Sequence, residues 1–563
     1  MKVTIPDCGQ GVNLDLLPAE LETGVWSSSE NFRFRNGFAE LWEGYGNVLA
    51  IEETSATYLE VYETPATTFY VYIGFFGTAW AKVNDNTDIS PYTASAAIST
   101  LTRISGTVAE ATTATAHNLT TGNTIEVYGA TETGYNGTYT VTVMSSTVFR
   151  YTVSSIAANA TVVGAYVVTG GSGQSFSTNS AALRASGGEL NGILFINSPS
   201  QGLYYWSGDI TKRFRLLATT TYKADVARPF KNYIVQLAPT IDGTKYPYDV
   251  IWSNAAEPGA VPTTFTAGVD NDAGRQALAE TGANLVDCLP LGQANIIYTS
   301  DGRYSMQYVG GNDVFSFNRL PGTDGLLWRG CVANTPKGHV FITPTFDVQL
   351  FDGSQSRSIA NSRVRDYLAR TISTNLKQNA FLTINHRKNE VWVCFPVTDQ
   401  TGSGCTKILA WNWEEDTWGL FSPANNVYWG SFGPYSGTQT LLLVVRESSW
   451  IQSTAAAAQV TVTGTLERTG LHFGDRDTLK SIQRSRWNID ATAAATALVY
   501  HGSSKTADGT VTYQTPATYT VGTTDFANGR ATSARFGAIK LTTTAFPFSV
   551  RSIDLDVIPG GKR

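Results

Sequence analysis

Charge is scarce in this 563-residue chain: Asp, Glu, Lys and Arg together make up 15% of it, and the formal balance is −6. A protein that wraps tightly round nucleic acid needs a basic surface, so that class is disfavoured. A weakly acidic wall past which a polyanion slides stays compatible, because it repels phosphates rather than holding them. Cysteine is sparse too. Cys8, Cys288, Cys331, Cys394 and Cys405 stand without CxxC spacing, whereas a structural zinc site needs four convergent ligands, usually in close pairs. Buried free thiols, in a chain matured in a reducing cytoplasm, are the expectation. No run of about 18 apolar residues is available to span a membrane, and the opening "MKVTIPDCGQGVNLD" has no apolar signal-peptide core. A soluble chain without a secretion signal is expected. Neither a GxxxxGK[ST] phosphate loop nor a GxSxG elbow occurs. The histidines (His117, His339, His386, His472 and His501) form no HxxxH or HxH pair, so any metal site would be entirely non-local.

What the chain has in quantity is aromatic residues, at 12%, together with 52 glycines and 20 prolines. That mixture suits many short strands joined by tight turns, and long helices at regular apolar spacing are missing. The length exceeds one hydrophobic core, so two or more domains are expected. Residues 1–50 read as an arm and a hairpin, with Phe32 and Phe34 on one strand face and a turn at Asn36-Gly37, a pair suited to positive φ. Residues 51–103 and 169–455 read as a β-propeller core, because strand–turn–aromatic-strand units recur roughly every 40–50 residues. Such units stack radially, since none buries its faces alone. Between them, residues 104–168 are Thr/Ala/Val-rich with Glu110, Glu126, Glu132 and Arg150 as the charged side chains, and read as an inserted small β-sandwich or barrel. "TGGSGQS" (169–175) reads as its flexible exit. Residues 459–563 alternate again and read as a C-terminal β-sandwich. The expected fold class is all-β. One stretch looks helical: "SRVRDYLARTISTNLKQ" spaces Val364, Tyr367, Leu368 and Ile372 for one helix face, with Ser362 as its cap. Its basic neighbourhood (Arg357, Arg363, Arg365, Arg370, Lys377, Arg387, Lys388) reads as a solvated or subunit-facing surface.

"KILAWNWEEDTWGLF" (407–421) raises the sharpest question of chemistry, because Trp411, Trp413 and Trp418 surround Glu414, Glu415 and Asp416. Glycoside cleavage requires two carboxylates facing each other about 5–9 Å apart with separated pKa values. Acids adjacent on one turn diverge instead. Placing Glu414 to Thr417 in a hairpin turn, with Trp418 and Leu420 returning opposite Trp411 and Leu409, explains the pattern as cross-strand packing. "GDRD" (474–477) reads as a turn with ion pairs to Arg484 or Arg486, since the regular ligands of a calcium loop are missing. No catalytic, cofactor-binding or metal-binding residue is expected, and the chain is read as a non-enzyme.

Three blocks resemble a known family. "GQGVNLDLLPAELETGVWSSSENFRFRNGFAELWEGY", the segment from Phe351 to Phe421 with "SRVRDYL", "NHRKNEVWVCFPV" and "ILAWNWEEDTWGLF", and the tail "LERTGLHFGDRDTLKSIQRSRWNID…IDLDVIPGGKR" are similar to tail nozzle and packaged-DNA stabilisation proteins of short-tailed bacteriophages. Residues 104–168 depart from that pattern and resemble small all-β modules inserted in phage tail proteins. The resemblance implies a structural virion protein of the phage tail, assembled in the host cytoplasm as a homohexameric ring. Its implied partners are further copies of itself, the portal and adaptor proteins, tail fibres or tailspikes, and genomic double-stranded DNA in transit, with no cofactor. It further implies polar and acidic loops facing the lumen. Two rival readings are a receptor- or glycan-binding propeller at the tail tip and a glycosidase-type propeller.

Overall fold

The computed structural model describes residues 1–563 apart from 52–55, 77–78, 85, 92–94, 162–164, 169–183, 218–221, 281, 446–449, 455, 457–459 and 563. The exit read at 169–175 therefore lies outside the described residues. The fold is all-β: a propeller core, an inserted small β-domain and a β-sandwich. Among the described residues seven antiparallel sheets form the blades, six of four strands and one of five. Blades 1 to 6 span residues 56–88, 186–217, 222–277, 285–319, 332–358 and 381–421. Blade 7 takes three strands from residues 427–453, and its fourth is Gly46–Ala50, paired with Trp450–Ser453. First strands pack against first strands from blade 2 through to blade 7 and from blade 7 back to blade 1. A shared aromatic cluster (Tyr62, Phe69, Trp80, Trp206, Phe214) joins blades 1 and 2 and completes the circle. Each blade buries its faces only against its neighbours, which is why the ring needs closing.

The inserted domain is a closed six-stranded barrel running from Ser95–Ser105 to Ala165–Val168. Its first strand begins before the composition shift at 104, because Ser95, Ala96 and Ala97 pair with Val167, Tyr166 and Ala165. Composition reports side chains and says nothing of pairing. Ile125, Val127, Phe149 and Tyr151 fill the interior. Against blade 2 the barrel sets Glu126 and Tyr128, and Arg215 ion-pairs with the first and lies 4.4 Å from the ring centre of the second.

The sandwich draws on both ends of the chain. Residues 1–50, read as an arm and hairpin, are divided: Gly46–Ala50 belongs to blade 7, and residues 1–41 supply four strands to the sandwich, Lys2–Ile5, Phe32–Arg35 and Phe38–Leu41 joining the sheet of Thr478–Ala491 and Phe548–Lys562, while Ser28–Glu30 pairs with Gly464–Leu471 in the other. Alternation marks a strand, but its partner lies about 500 residues away and leaves no local trace. The Asn36-Gly37 turn has positive φ at both residues, 52° and 75°, the geometry a two-residue hairpin needs. The expected helix is shorter and differently capped: it runs Arg365–Thr371, and Ser362 sits at φ 56° outside it. Its first amides, of Asp366 and Tyr367, donate instead to the Asp15 carboxylate at 3.2 and 2.9 Å. A cap supplied from the far end of the chain replaces the local one. Among the described residues no helix is long and apolar enough to cross a membrane.

Candidate functional site

The tryptophan hairpin forms as its spacing requires. Trp411 pairs with Trp418 and Leu409 with Leu420 across the strands Lys407–Asn412 and Thr417–Phe421, and all three indoles are buried. Thr417 opens the return strand opposite Asn412 instead of belonging to the turn. Asn412 Oδ1 accepts the amides of Glu414 and Glu415 at 2.9 and 3.1 Å, which fixes the bend. Two of the three acids, Glu415 and Asp416, make bonds to different partners. Asp416 Oδ1 accepts the Trp411 indole N–H at 2.9 Å and its other oxygen pairs with Arg363 at 3.1 Å. Glu415 accepts the Asn36 amide at 2.6 Å, tying the turn to the sandwich hairpin. In "GDRD", Asp475 accepts the amides of Asp477 and Thr478. Arg484 and Arg486, expected to pair with this turn, bind Asp556 and Asp525. A sheet register decides those pairings, and sequence proximity did not.

The densest polar cluster was not visible in the sequence, since each blade contributes about one residue to it. It lies on the propeller axis. Arg184, just before blade 2, is 4% exposed and donates to the carbonyls of Ala380 and Asn379 beside blade 6 at 3.3 and 3.0 Å. Its guanidinium lies 4.9 Å from the Trp429 ring of blade 7 and 5.5 Å from Phe381 of blade 6. It is a strut across the ring. From blade 3, Arg228 grips Asp287 of blade 4 through two nitrogens at 2.6 and 2.9 Å, and the same carboxylate accepts the Gly330 amide at 2.9 Å. Arg329, leading into blade 5, reaches back to the Asp225 carbonyl at 2.7 Å. In blade 1 the Tyr58 hydroxyl donates to Glu60 at 2.5 Å. Gly330 adopts φ 79°, and a Cβ there would stand 3.0 Å from Trp429, so glycine is what lets the indole close over it.

Electrostatics follow from this packing. Burial works against the Asp287 charge, but Arg228 outweighs it and holds the carboxyl below its usual range. Burial pushes Glu60 up, only partly offset by Tyr58 and Arg228. Burial also lowers Arg184, which has carbonyls and aromatic faces rather than a carboxylate around it. Cys331 and Cys405 donate to the same two carbonyls at 3.4 and 3.3 Å, and burial pushes the Cys331 thiol up to about 12. All five cysteines are buried and free. Among the described residues no group of three or more His, Cys, Asp or Glu side chains is placed to hold a metal ion.

A second buried charge set joins sandwich to propeller. Arg33, between Phe32 and Phe34, pairs with Glu43 at 2.8 Å and with Glu390 of blade 6 at 3.1 Å, and Lys388 lies 3.7 Å from Glu43. Trp42 stacks on Phe421 at 4.9 Å and meets Trp392 edge-on at 5.6 Å. Thr417 Oγ1 donates to the Phe34 carbonyl at 2.8 Å. Burial raises Glu390 despite Arg33; it also opposes the charge on Glu43, where Arg33 and Lys388 win and lower the pKa.

These features define a seven-bladed β-propeller with a barrel inserted after its first blade and a sandwich built from both chain ends. No family model matches the chain, and no curated protein matches it. Among solved structures, the computationally designed Ika8 protein is 9% identical, covering 72% of this chain and 98% of its own, at a TM-score of 0.32. Citrobacter koseri AztD is 12% identical, covering 72% and 94%, at 0.30. The phage phi92 endosialidase is 11% identical, covering 70% and 78%, at 0.21. Likenesses at these scores carry no argument about chemistry or assembly.

Proposed function

We propose that the chain is a structural subunit of a short-tailed-phage tail nozzle, a wall element of the channel that retains the packaged genome and conducts it during ejection. The observation that carries this reading is the joint between sandwich and blade 6. The three blocks that resemble nozzle proteins, remote in sequence, meet there: the hairpin Phe32–Leu41 lies against Thr417–Phe421, and Ser28–Glu30 pairs with Gly464–Leu471. The resemblance therefore falls on one continuous structural unit instead of three unrelated strings.

The axis is compatible with this reading: Arg184 and its partners cross the propeller, so in this proposal a duplex passes between copies of the chain and not through the blades. A wall built this way is stiff, because propeller and sandwich share buried charge and packed aromatic rings, and the propeller leaves only short sheet edges. The net charge of −6 keeps it from gripping a sliding polyanion. Mixing the chain with a purified portal–adaptor complex should give a ring at the distal end of the tube in electron micrographs. A stable monomer that ignores the portal complex would overturn the proposal.

A further inference from the structure

Residues of the outer strands of blades 3 and 4, Gly274–Ala277 and Phe315–Arg319, line a groove of about 1110 Å³, at the upper end of the range for small-molecule sites. Two connections frame it. The first leads from Asp249–Trp252 into Gly274–Ala277 and is anchored at Asp272, whose carboxylate accepts the Tyr233 hydroxyl at 2.7 Å and the Ala255 amide at 3.0 Å. Before that anchor, residues 266–271 stand exposed. The second is the hairpin tip after Tyr308, where Gly310, Gly311 and Val314 all take positive φ. Both leave apolar side chains in water: Val269 is 101% exposed, Val309 55% and Tyr308 49%. Such side chains gathered at one spot mark a contact surface.

The lining decides the sign of charge that suits the groove. Glu280 and Asp313 are exposed and enter no ion pair among the described residues. Arg275, the one basic residue of the lining among the described residues, is already paired with Asp249, and its guanidinium lies 4.0 Å from the centre of the Tyr246 ring. A cation is therefore favoured over an anion. The walls decide the kind of cation. Half-buried Phe317 stands beside the buried Trp252 and Phe315, whose ring centres are 5.4 Å apart. A bare metal ion gains nothing from carbon surfaces, and among the described residues no three His, Cys, Asp or Glu side chains are placed to hold one. An ammonium on an alkyl chain is drawn to aromatic rings and buries its methylenes on apolar ones. The protein displays that preference beside the groove, where the Lys231 ammonium lies 5.7 Å from the centre of the Tyr308 ring.

We propose that the groove between blades 3 and 4 binds a linear aliphatic polyamine. Its ammonium groups meet the carboxylates of Glu280 and Asp313, and its methylenes lie along Val269, Val309 and Phe317. Charge complementarity brings the ligand in, and the apolar lining separates it from an inorganic cation of equal charge. The site goes beyond the reading of the chain as a channel wall and does not depend on it.

The test is calorimetric titration of the full chain with spermidine at low ionic strength. Wild type should bind one equivalent saturably. Glu280→Gln with Asp313→Asn should weaken binding by about tenfold or more, the loss of at least one charge-assisted hydrogen bond. Val269→Ser with Val309→Ser keeps every carboxylate and should still weaken it by about threefold, because roughly one methylene loses its apolar cover. All four side chains are exposed, so both variants should melt as the wild type does. Magnesium chloride at matched ionic strength should leave the wild-type isotherm in place. Spermidine that binds without saturating, is displaced by magnesium at that ionic strength, or binds both variants as tightly as the wild type overturns the site. A chain that binds spermidine as described but ignores the portal complex overturns the wall and leaves the groove standing.

Discussion

Two histidines carry the clearest single-residue consequence. His339 Nε2 faces the Pro290 carbonyl at 3.0 Å, so that nitrogen holds the proton and Nδ1 accepts from the Tyr298 hydroxyl, also at 3.0 Å. His501 is placed likewise: the Trp487 indole donates to Ser485 Oγ at 2.7 Å, and that hydroxyl donates on to His501 Nε2 at 2.8 Å. A second proton on either ring breaks a buried hydrogen bond and places charge in the core, and burial lowers both pKa values to about 4. A depressed native value means that the unfolded chain binds more protons below about pH 6.5. The stabilisation, roughly 3 kcal/mol per ring at most, is therefore complete near neutrality and is lost as pH falls toward 4. Denaturant midpoints measured between about pH 7 and pH 4.5 should fall, and His501→Gln should flatten the decline while costing stability at neutral pH. An unchanged slope would remove His501 from the account.

At the scale of elements, what sequence could reveal was set by distance along the chain. The Asn36-Gly37 turn and the Trp411–Trp418 pair depend on residues within a dozen positions of each other, and both were legible. The helix cap was not, because Asp15 and Tyr367 stand 352 positions apart in the chain. The barrel's true start was hidden in a strand whose partner lies some seventy residues on. The axial cluster was hidden for a related reason: Arg184, Arg228, Asp287 and Arg329 each look like an isolated strand-edge charge until the circle closes. The remote cap gives a local prediction. Asp15→Ala should cost about 1 kcal/mol, as loss of other N-terminal caps does. The loss should appear first as faster hydrogen exchange at the amides of Asp366 and Tyr367, with the blade strands unaffected. Slow exchange at both amides in the variant would assign the cap elsewhere.

Over the whole molecule, the joint at Arg33 decides whether the sandwich and the propeller behave as one body. Removing one partner of a buried ion pair strands the other, which costs about 3–5 kcal/mol. Arg33→Ala leaves Glu390 in that position, with the Trp392 indole at 2.9 Å as its remaining donor. Calorimetry should show the transition shared by sandwich and propeller in the wild type dividing, with the sandwich melting first. A single undivided transition in the variant would show that the remaining contacts, the Trp42–Phe421 stack and the Thr417–Phe34 and Glu415–Asn36 hydrogen bonds, suffice to couple them.

The strand Gly46–Ala50 has a further consequence, for the order in which the protein is made. It leaves the ribosome some four hundred residues ahead of its neighbour Trp450–Ser453. For most of translation the nascent chain thus carries an unmated edge and an open circle of blades, while the barrel has every strand it needs once residue 168 has emerged. The strands of the barrel are thus complete before those of the circle, and those of the circle before those of the sandwich.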